Sequence, residues 1–271
     1  MRGMSALTED QRRALERMHE TFPTLEAWRV RSREVEQPER GSEAAEDDTI
    51  WPYQPPSEIV RQSLVAATQH LNLARTAIES KDIYPSSHFT VLRGALVGAS
   101  QAVWIVGPDD RLERQQRALR VIDEWYRRAM QHAGEYLPLI EDAAALAEVR
   151  EGLDHMGARR DGARTLWRAT PTLTAASTLT LTDVVVWSAA LVLGDPVRAA
   201  LVKALWQQLS GDAHALGWAV LTRSTLAERG SDGMGVFKAG GDLERLSEAF
   251  LLCFRILRTG WSLYDRRCEG R

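Results

Sequence analysis

The sequence predicts an all-α protein, an up-down bundle of about six to eight helices with a small β-hairpin. Apolar residues recur at helical spacing over long segments, and Gly or Pro residues separate those segments. The glycine-rich stretch over residues 229–235 is a dense turn signal, and short segments on either side of it suit a hairpin. No large sheet is indicated.

The first 56 residues are predicted to form an arm followed by a connector. Thr8 and Gln11 form a capping-box pattern at the start of a helix over about 8–20, and a second amphipathic segment follows over about 24–35. Between Glu34 and Asp48 lie seven acidic residues and one Arg, and a Pro-rich stretch ends at residue 56. Such composition is typical of an extended, solvated connector. We therefore expect an arm with an acidic, Pro-rich connector over 1–56 and a helical bundle domain over 57–271.

The remaining chain carries the predicted bundle. Gly94 and Gly98 lie four residues apart with small neighbours, so the helix that holds them can approach another helix closely, and we expect it to be central. The predicted helices span residues 57–80, 86–106, 109–133, 135–157, 183–193, 196–222 and 242–266.

Composition excludes several classes of protein. The 271 residues are 44% hydrophobic with a net charge of −3, which argues against a disordered chain and against a nucleic-acid binder that relies on overall charge. Two cysteines, Cys253 and Cys268, are too few for a disulfide framework or a cysteine-rich zinc site. We expect a cytoplasmic protein with no cofactor and no metal.

A membrane partner is not expected. The longest weakly charged run, Pro171 to Gly194, has 24 residues, but its dense apolar part is Val184 to Leu193. A membrane span needs about twenty apolar residues. We interpret this run as buried core.

The helix predicted over 109–133 has an apolar arc opposite a basic arc that includes Arg114, Arg117 and Arg120. Glu113 and Glu124 sit four residues before arginines in the basic arc. Two interpretations follow. The arc is either a solvated, salt-bridged surface or a face that binds phosphate groups.

The stretch over 206–214 is the most unusual in the chain. A continuous helix from residue 196 would align Ser210 and His214 in one polar stripe, and it would place Asp212 on the apolar side. A buried carboxylate needs a cationic partner, and we expect that partner to be Arg93. The alternative is that Gly211 lets two helices touch and that the polar groups are structural.

Two stretches of the sequence resemble a known protein family. The run from Leu209 to Trp218 resembles the Leu-Ser-x-x-Ala-His-Gly-x-x-Trp signature of actinobacterial HEPN-like helical proteins, and the run from Val91 to Asp110 is similar to their paired central helices. The resemblance covers residues 60–270 loosely. It implies a helical bundle, frequently a homodimer, whose active relatives are metal-independent RNases of defence, toxin–antitoxin and mobile-element systems.

The catalytic mark of that family is an Arg followed by four to six residues and then His. Before His214 the corresponding positions are Gln207, Gln208 and Leu209, so the arginine is missing. By the resemblance, His214 would serve as general acid or base on a ribose hydroxyl, and Arg93 would stabilise phosphate charge. A non-catalytic relative that binds RNA through Ser210, Asp212 or the basic arc stays open.

Three functional hypotheses therefore stand. An RNase requires His214 and at least one Arg to converge in a concave site, within one chain or across a dimer interface. An RNA-binding module requires a continuous basic groove, for which the basic arc is the candidate. A scaffold or regulator that binds a protein partner requires an exposed apolar patch or a docking arm, with Trp28 and Trp51 as candidate anchors.

Overall fold

The computed structural model describes residues 7–169, 179–240 and 242–270. The described chain is mostly helical, with one small hairpin, and this confirms the predicted fold class. In chain order the elements are α1 Glu9–His19, α2 Phe22–Arg31, α3 Glu43–Asp48, α4 Pro56–Glu79, α5 Ser87–Val106, α6 Arg111–Tyr136, α7 Ala143–Ala169, α8 Leu181–Leu193, α9 Pro196–Ala213, α10 Gly217–Leu221, β1 Ser224–Arg229, β2 Gly235–Ala239 and α11 Leu243–Cys268.

The chain divides into two compact units. The first unit comprises Met1–Glu36, Arg61–Val103 and Leu181–Leu263. The second unit comprises Gln37–Val60, Trp104–Thr180 and Tyr264–Arg271. The predicted boundary at residue 56 does not coincide with this division.

The N-terminal helices belong to the core of the first unit. Thr8 and Gln11 form the predicted capping box at the start of α1. The side chains of Met18 and Leu25 are fully buried. Trp28 stacks on Trp261, with ring centroids 6.3 Å apart. Because Trp28 is half-buried against Phe254 and Trp261, it is not the free docking anchor that the sequence suggested.

The acidic connector is folded where an extended chain was expected. Ser42 caps α3, and Asp47 in that helix is buried. Trp51 is also buried, so it is not available as an anchor. The sequence pattern misleads here because arginines elsewhere in the second unit neutralise the carboxylates, as described below.

Helix α5 packs closely against α4, as its glycines predict. A Cβ on Gly98 would lie 2.6 Å from the Ser63 carbonyl oxygen, and one on Gly94 would overlap the His70 imidazole. By length and composition alone α5 could cross a membrane, but 61% of its most apolar window is buried inside the protein. That burial is what a core helix shows.

Helix boundaries in the second unit differ from prediction. Helix α6 continues through Gly134 to Tyr136, and Pro138 then turns the chain. Asp142 caps the next helix by accepting from the Ala145 amide at 2.7 Å. Helix α7 passes through Gly157 without interruption, since isolated glycines weaken a helix but do not end it.

Of the predicted buried run over 171–194, residues 171–178 lie outside the described residues. The rest forms α8, which packs against α9 and buries Val184 and Val185. Leu181 and Leu191 at its two ends are exposed, so the run is core along one face only.

The predicted hairpin is present. Strands β1 and β2 pair antiparallel, with Leu226 opposite Phe237. The register shifts between Leu226 and Glu228, so Ala227 is an extra residue that bulges β1. Gly233 adopts a positive φ of 83°, and the Gly230 amide donates to the Met234 carbonyl to close the turn.

Candidate functional site

The C-terminal end of α9 differs from the continuous helix that the sequence predicted. The Ala215 amide donates to the Asp212 carbonyl at 3.0 Å, and the Leu216 amide donates to the Gly211 carbonyl at 2.8 Å. This pair of bonds is a Schellman motif, and Ala215 supplies its left-handed residue with φ 54°. The helix therefore ends at Ala213, and the expected polar stripe does not extend to His214. An alanine in this role leaves no glycine signal to predict the break.

Gly211 lets two helices touch, as the structural alternative proposed. A Cβ there would lie 2.8 Å from the Trp218 indole and 3.0 Å from the Ala219 Cβ. Because glycine has no Cβ, α10 folds back directly against α9.

Asp212 is buried as predicted, but its partner is Arg223 and not Arg93. Arg223 Nη2 donates to Asp212 Oδ1, and the Ser86 hydroxyl donates to the same oxygen at 3.0 Å. The two side chains are 0% and 1% exposed. Arg223 also lies 4.0 Å from the centre of the Phe89 ring. The predicted Arg93 to Asp212 ion pair is therefore wrong.

This first-unit cluster is incompletely hydrogen bonded. Asp212 Oδ2 and the Nε and Nη1 atoms of Arg223 are buried without a partner among the described residues. Nearby in the chain, His88 accepts the Tyr84 amide at Nδ1, while its Nε2 is buried without a partner. Burial lowers the pKa of the His88 imidazole. These groups are internal, so they are not a surface to which a large substrate has access.

Arg93 meets Ser210. Its Nε donates to the Ser210 hydroxyl at 3.2 Å, and its guanidinium lies 4.7 Å from the centre of the Trp206 ring. The Ser210 hydroxyl in turn donates to the Trp206 carbonyl at 2.9 Å. The structure thus brings two of the predicted site residues together and explains both as packing between α5 and α9.

His214 is not part of that arrangement. It caps α9 through its backbone amide, and its side chain is exposed. Within residues 7–169, 179–240 and 242–270 the imidazole makes no hydrogen bond or ion pair with a cationic side chain. The contacts of Arg93 run to Ser210 and Trp206. Within the described residues of one chain, no contact joins His214 to an arginine.

The basic arc of α6 is largely internal, contrary to the predicted surface. Arg114 is buried and pairs with Asp47, Nε to Oδ2, at 2.6 Å. Its Nη1 donates to the Asp109 carbonyl at 2.8 Å. Arg267 shares this cluster by pairing with Glu43 and with Asp109. The acidic segment is therefore the counter-charge for Arg114, which spacing along α6 alone cannot show.

Arg117 is likewise buried and donates to the Trp104 carbonyl at 2.7 Å. Its predicted pair with Glu113 is present at 2.6 Å. Arg120 is half-buried between the rings of Trp104 and Trp167, with its guanidinium carbon 5.9 Å and 5.6 Å from their centres. A continuous, solvent-facing basic groove through the three predicted arginines is therefore not what the structure has.

A cleft that the sequence reasoning missed lies in the first unit. It has a volume of about 850 Å³ and is bordered by α1, α8, α9 and α11, with Phe89 of α5 at one side. Its apolar lining includes Leu201, which is 66% exposed. The charged side chains that line it are those of Arg17, Arg198, Arg245, Arg255 and Glu248.

Most of these arginines form an ion pair or a hydrogen bond with a neighbouring group. Arg198 pairs with Asp195 at 3.5 Å, and Arg245 pairs with Asp242 at 3.3 Å. Arg255 donates to the Val192 carbonyl at 3.2 Å. In the described parts of the chain Arg17 makes no ion pair. The signal that could have found the cleft is Leu201, an apolar residue on a helix whose opposite side is already filled by Val202, Trp206 and Leu209.

Comparison of the chain with protein-family models, with curated proteins and with solved structures found no match.

Proposed function

We propose that this protein is a non-catalytic interaction module, and that its binding surface is the arginine-lined apolar cleft of the first unit. The proposal rests on the residues that line the cleft. They are leucines and other apolar residues, together with four arginines and one glutamate. An apolar groove with a basic border is complementary to an amphipathic segment whose polar face is acidic. The proposed partner is therefore an acidic amphipathic helix of another protein.

Apolar side chains at the cleft are exposed to solvent, which supports the binding of a partner there. Leu201 is 66% exposed and Val197, one turn earlier on α9, is 71% exposed. Large apolar side chains clustered on a helix face are typical of interaction sites. Apolar contacts would supply affinity, and the arginines would orient the partner and reject basic segments.

A peptide titration tests the proposal. The probe is a fluorescent synthetic peptide that forms an amphipathic helix, with leucine along one face and glutamate elsewhere, and its binding is measured by fluorescence anisotropy. We expect saturable binding, and at least about tenfold weaker binding to the Leu201→Asp variant, since burying one leucine is worth about 1.5–3 kcal/mol. The matched control is Leu73→Asp, an exposed leucine on α4 that does not line the cleft.

Two further measurements separate the peptide from other ligands. A peptide with lysine in place of glutamate should not bind, because the cleft arginines repel it. A single-stranded RNA oligonucleotide should not compete with the acidic peptide. Binding of the RNA, with affinity that falls steeply with salt and depends on Arg245 and Arg255, would replace this proposal with an RNA-binding one.

The RNase prediction has its own test, total RNA incubated with the purified protein and a chelator. We expect wild type and His214→Ala to leave the RNA intact, because the structure does not bring His214 and an arginine together. Cleavage by wild type that is lost in His214→Ala would contradict the proposal of a non-catalytic module. Cleavage retained by the variant would indicate a contaminating nuclease.

A further inference from the structure

A second pocket of the first unit lies where α1, α2 and the C-terminal end of α4 meet. It has a volume of about 560 Å³, and its apolar lining is Leu15, Phe22, Pro23 and Ile78. The charged side chains that line it are those of Glu26, Arg75, Glu79 and Lys81. We name it the Lys81 pocket. Its volume is within the range of small-molecule sites, about 300–1,000 Å³.

Lys81 follows α4 in a backbone conformation that glycine usually supplies. Its amide donates to the Ile78 carbonyl at 2.9 Å, and the Asp82 amide donates to the Ala77 carbonyl at 2.9 Å. This pair of bonds is a Schellman motif, and Lys81 takes its left-handed position with φ 62°. A residue with a Cβ is strained there, so the fold alone favours glycine. Strained backbone at a residue that lines a pocket is typical of functional positions.

The other charges of the pocket cancel one another, and Lys81 is left over. Arg29 Nη2 donates to Glu26 Oε1 at 2.6 Å, and Arg75 Nη1 lies 3.1 Å from Glu26 Oε2. Arg75 Nε also lies 3.2 Å from Glu79 Oε1. The hydrogen bonds from Arg29 and Arg75 lower the pKa of Glu26 to about 2, so two carboxylates face two guanidinium groups and the network is neutral. No carboxylate that the structure describes pairs with the Lys81 ammonium.

The apolar wall of the pocket is held in place before any ligand binds. Phe22 is buried, and the ring of His19 lies 4.8 Å from its ring, centroid to centroid. The guanidinium carbon of Arg75 lies 5.3 Å from the centre of the same ring. Because these contacts fix Phe22, binding against it carries a small cost in side-chain ordering.

We propose that the Lys81 pocket binds a small carboxylic acid with an aliphatic or aromatic body. The Lys81 ammonium pairs with the carboxylate, and the apolar lining buries the body of the ligand. A phosphate monoester fits less well, because it carries about two negative charges and the pocket offers one unpaired lysine beside Glu26 and Glu79. The described lining shares no residue with that of the cleft, so the two sites are tested independently.

The first test is isothermal titration with two probes, octanoate and 4-phenylbutyrate. We expect both acids to bind saturably with dissociation constants below about 1 mM. Their amides should bind at least about tenfold more weakly, because they have no charge for Lys81, and acetate should not bind, because it has no apolar body. An absence of binding by both acids, or amides that bind as tightly as the acids, would overturn the proposal.

The second test separates recognition from folding. Lys81→Gly and Lys81→Asn remove the ammonium, and both residues adopt the left-handed conformation more readily than lysine. We therefore expect octanoate binding at least about tenfold weaker in both variants, with a melting temperature that is unchanged or raised by up to about 4 °C. Lys81→Arg keeps the charge and should keep the binding. A lysine with a merely structural role cannot combine lost binding with retained stability.

The matched control is Lys203→Asn, which removes an exposed lysine of α9 that does not line the pocket. It should bind octanoate as wild type does. Octanoate affinity that is unchanged in Lys81→Asn, or equally reduced in Lys203→Asn, would show that Lys81 does not recognise the carboxylate and would refute the proposed site.

Discussion

The two units each bury an arginine and carboxylate cluster, and the clusters differ in how completely they are hydrogen bonded. In the second unit every nitrogen of the Arg114 and Arg267 guanidinium groups has an acceptor among Glu43, Asp47, Asp109 and backbone carbonyls. In the described part of the first unit, two guanidinium nitrogens of Arg223 and one oxygen of Asp212 have no partner. Both units therefore bury arginine and carboxylate groups together. The guanidinium groups of the second-unit cluster are fully hydrogen bonded, whereas hydrogen bonding is incomplete in the first-unit cluster.

The difference shows which cluster stabilises its unit. Removing charges from water costs several kcal/mol per ion, and only a complete set of hydrogen bonds compensates for that cost. The second-unit cluster also supplies positive partners for Glu43 and Asp47 of the acidic helix α3. The first-unit cluster ties Arg223, just after α10, to Asp212 of α9, but its unmet atoms leave the burial cost partly uncompensated. We therefore expect the two clusters to respond in opposite ways to apolar replacement.

The largest effect is expected in the second unit. Asp47→Ala leaves the buried Arg114 without its main counter-charge, and it should lower the free energy of unfolding by about 3–5 kcal/mol. Urea unfolding measures this. The matched control is Glu46→Ala, which removes the pair between Arg111 and Glu46, both of which are about half exposed, and should cost no more than about 1 kcal/mol. Equal losses for the two variants would show that the Arg114 cluster is not a major source of stability.

Paired replacement distinguishes the clusters directly. Asp212→Leu combined with Arg223→Met should leave the free energy of unfolding unchanged or raise it by about 1–4 kcal/mol. We expect removal of the burial cost of the three unmet atoms to outweigh the partners that the Ser86 hydroxyl and the Pro85 carbonyl lose. Asp47→Leu combined with Arg114→Met should lower it, since Glu43 and the Pro108 and Asp109 carbonyls lose Arg114 as a partner. Each unmet buried group costs about 1–3 kcal/mol. The same sign for both double variants would refute the distinction drawn between the two clusters.

Acid should weaken the first unit through its histidines. Burial lowers the pKa of His88 and of His70 in the folded protein. The unfolded chain then binds more protons once the pH falls below the ordinary histidine pKa of about 6.5, so stability falls by at most about 1.4 kcal/mol per pH unit for each histidine. Urea unfolding at pH 7 and pH 5.5 measures the loss, and His88→Gln should reduce it. An unchanged pH dependence in that variant would remove His88 as a cause.

The smallest expected effect is on the rate at which Cys253 is chemically modified, which reports the local stability of the first unit. Burial raises the pKa of the Cys253 thiol to about 12, and its Sγ lies 3.6 Å from the Leu92 carbonyl. In a Cys268→Ser background a thiol reagent should therefore modify Cys253 only when the first unit opens. The modification rate of the Asp212→Leu, Arg223→Met double variant should be no faster than that of the parent. A faster rate would show that the polar cluster holds the first unit closed.

Much of the fold follows from local patterns. The capping box at Thr8, the helix over 57–80 and the turn over 229–235 were predicted because each depends on neighbours within a few residues. The end of α9 was not predicted, since Ala215 takes a left-handed conformation that sequence assigns to glycine. At the site the burial of Asp212 was predicted, whereas the contact of Arg93 with Ser210 and the partner of Asp212, Arg223, were not.

By itself the sequence determined the fold class, the hairpin and the pairs of charges close in the chain, such as Glu113 with Arg117. Only the tertiary structure decided that Arg114 is internal, that Asp212 pairs with Arg223 and that the cleft arginines line one groove. The physical reason is that a charged residue is equally compatible with water and with a buried counter-charge. Which of these it meets depends on residues far away in the chain, here 67 positions from Arg114 to Asp47.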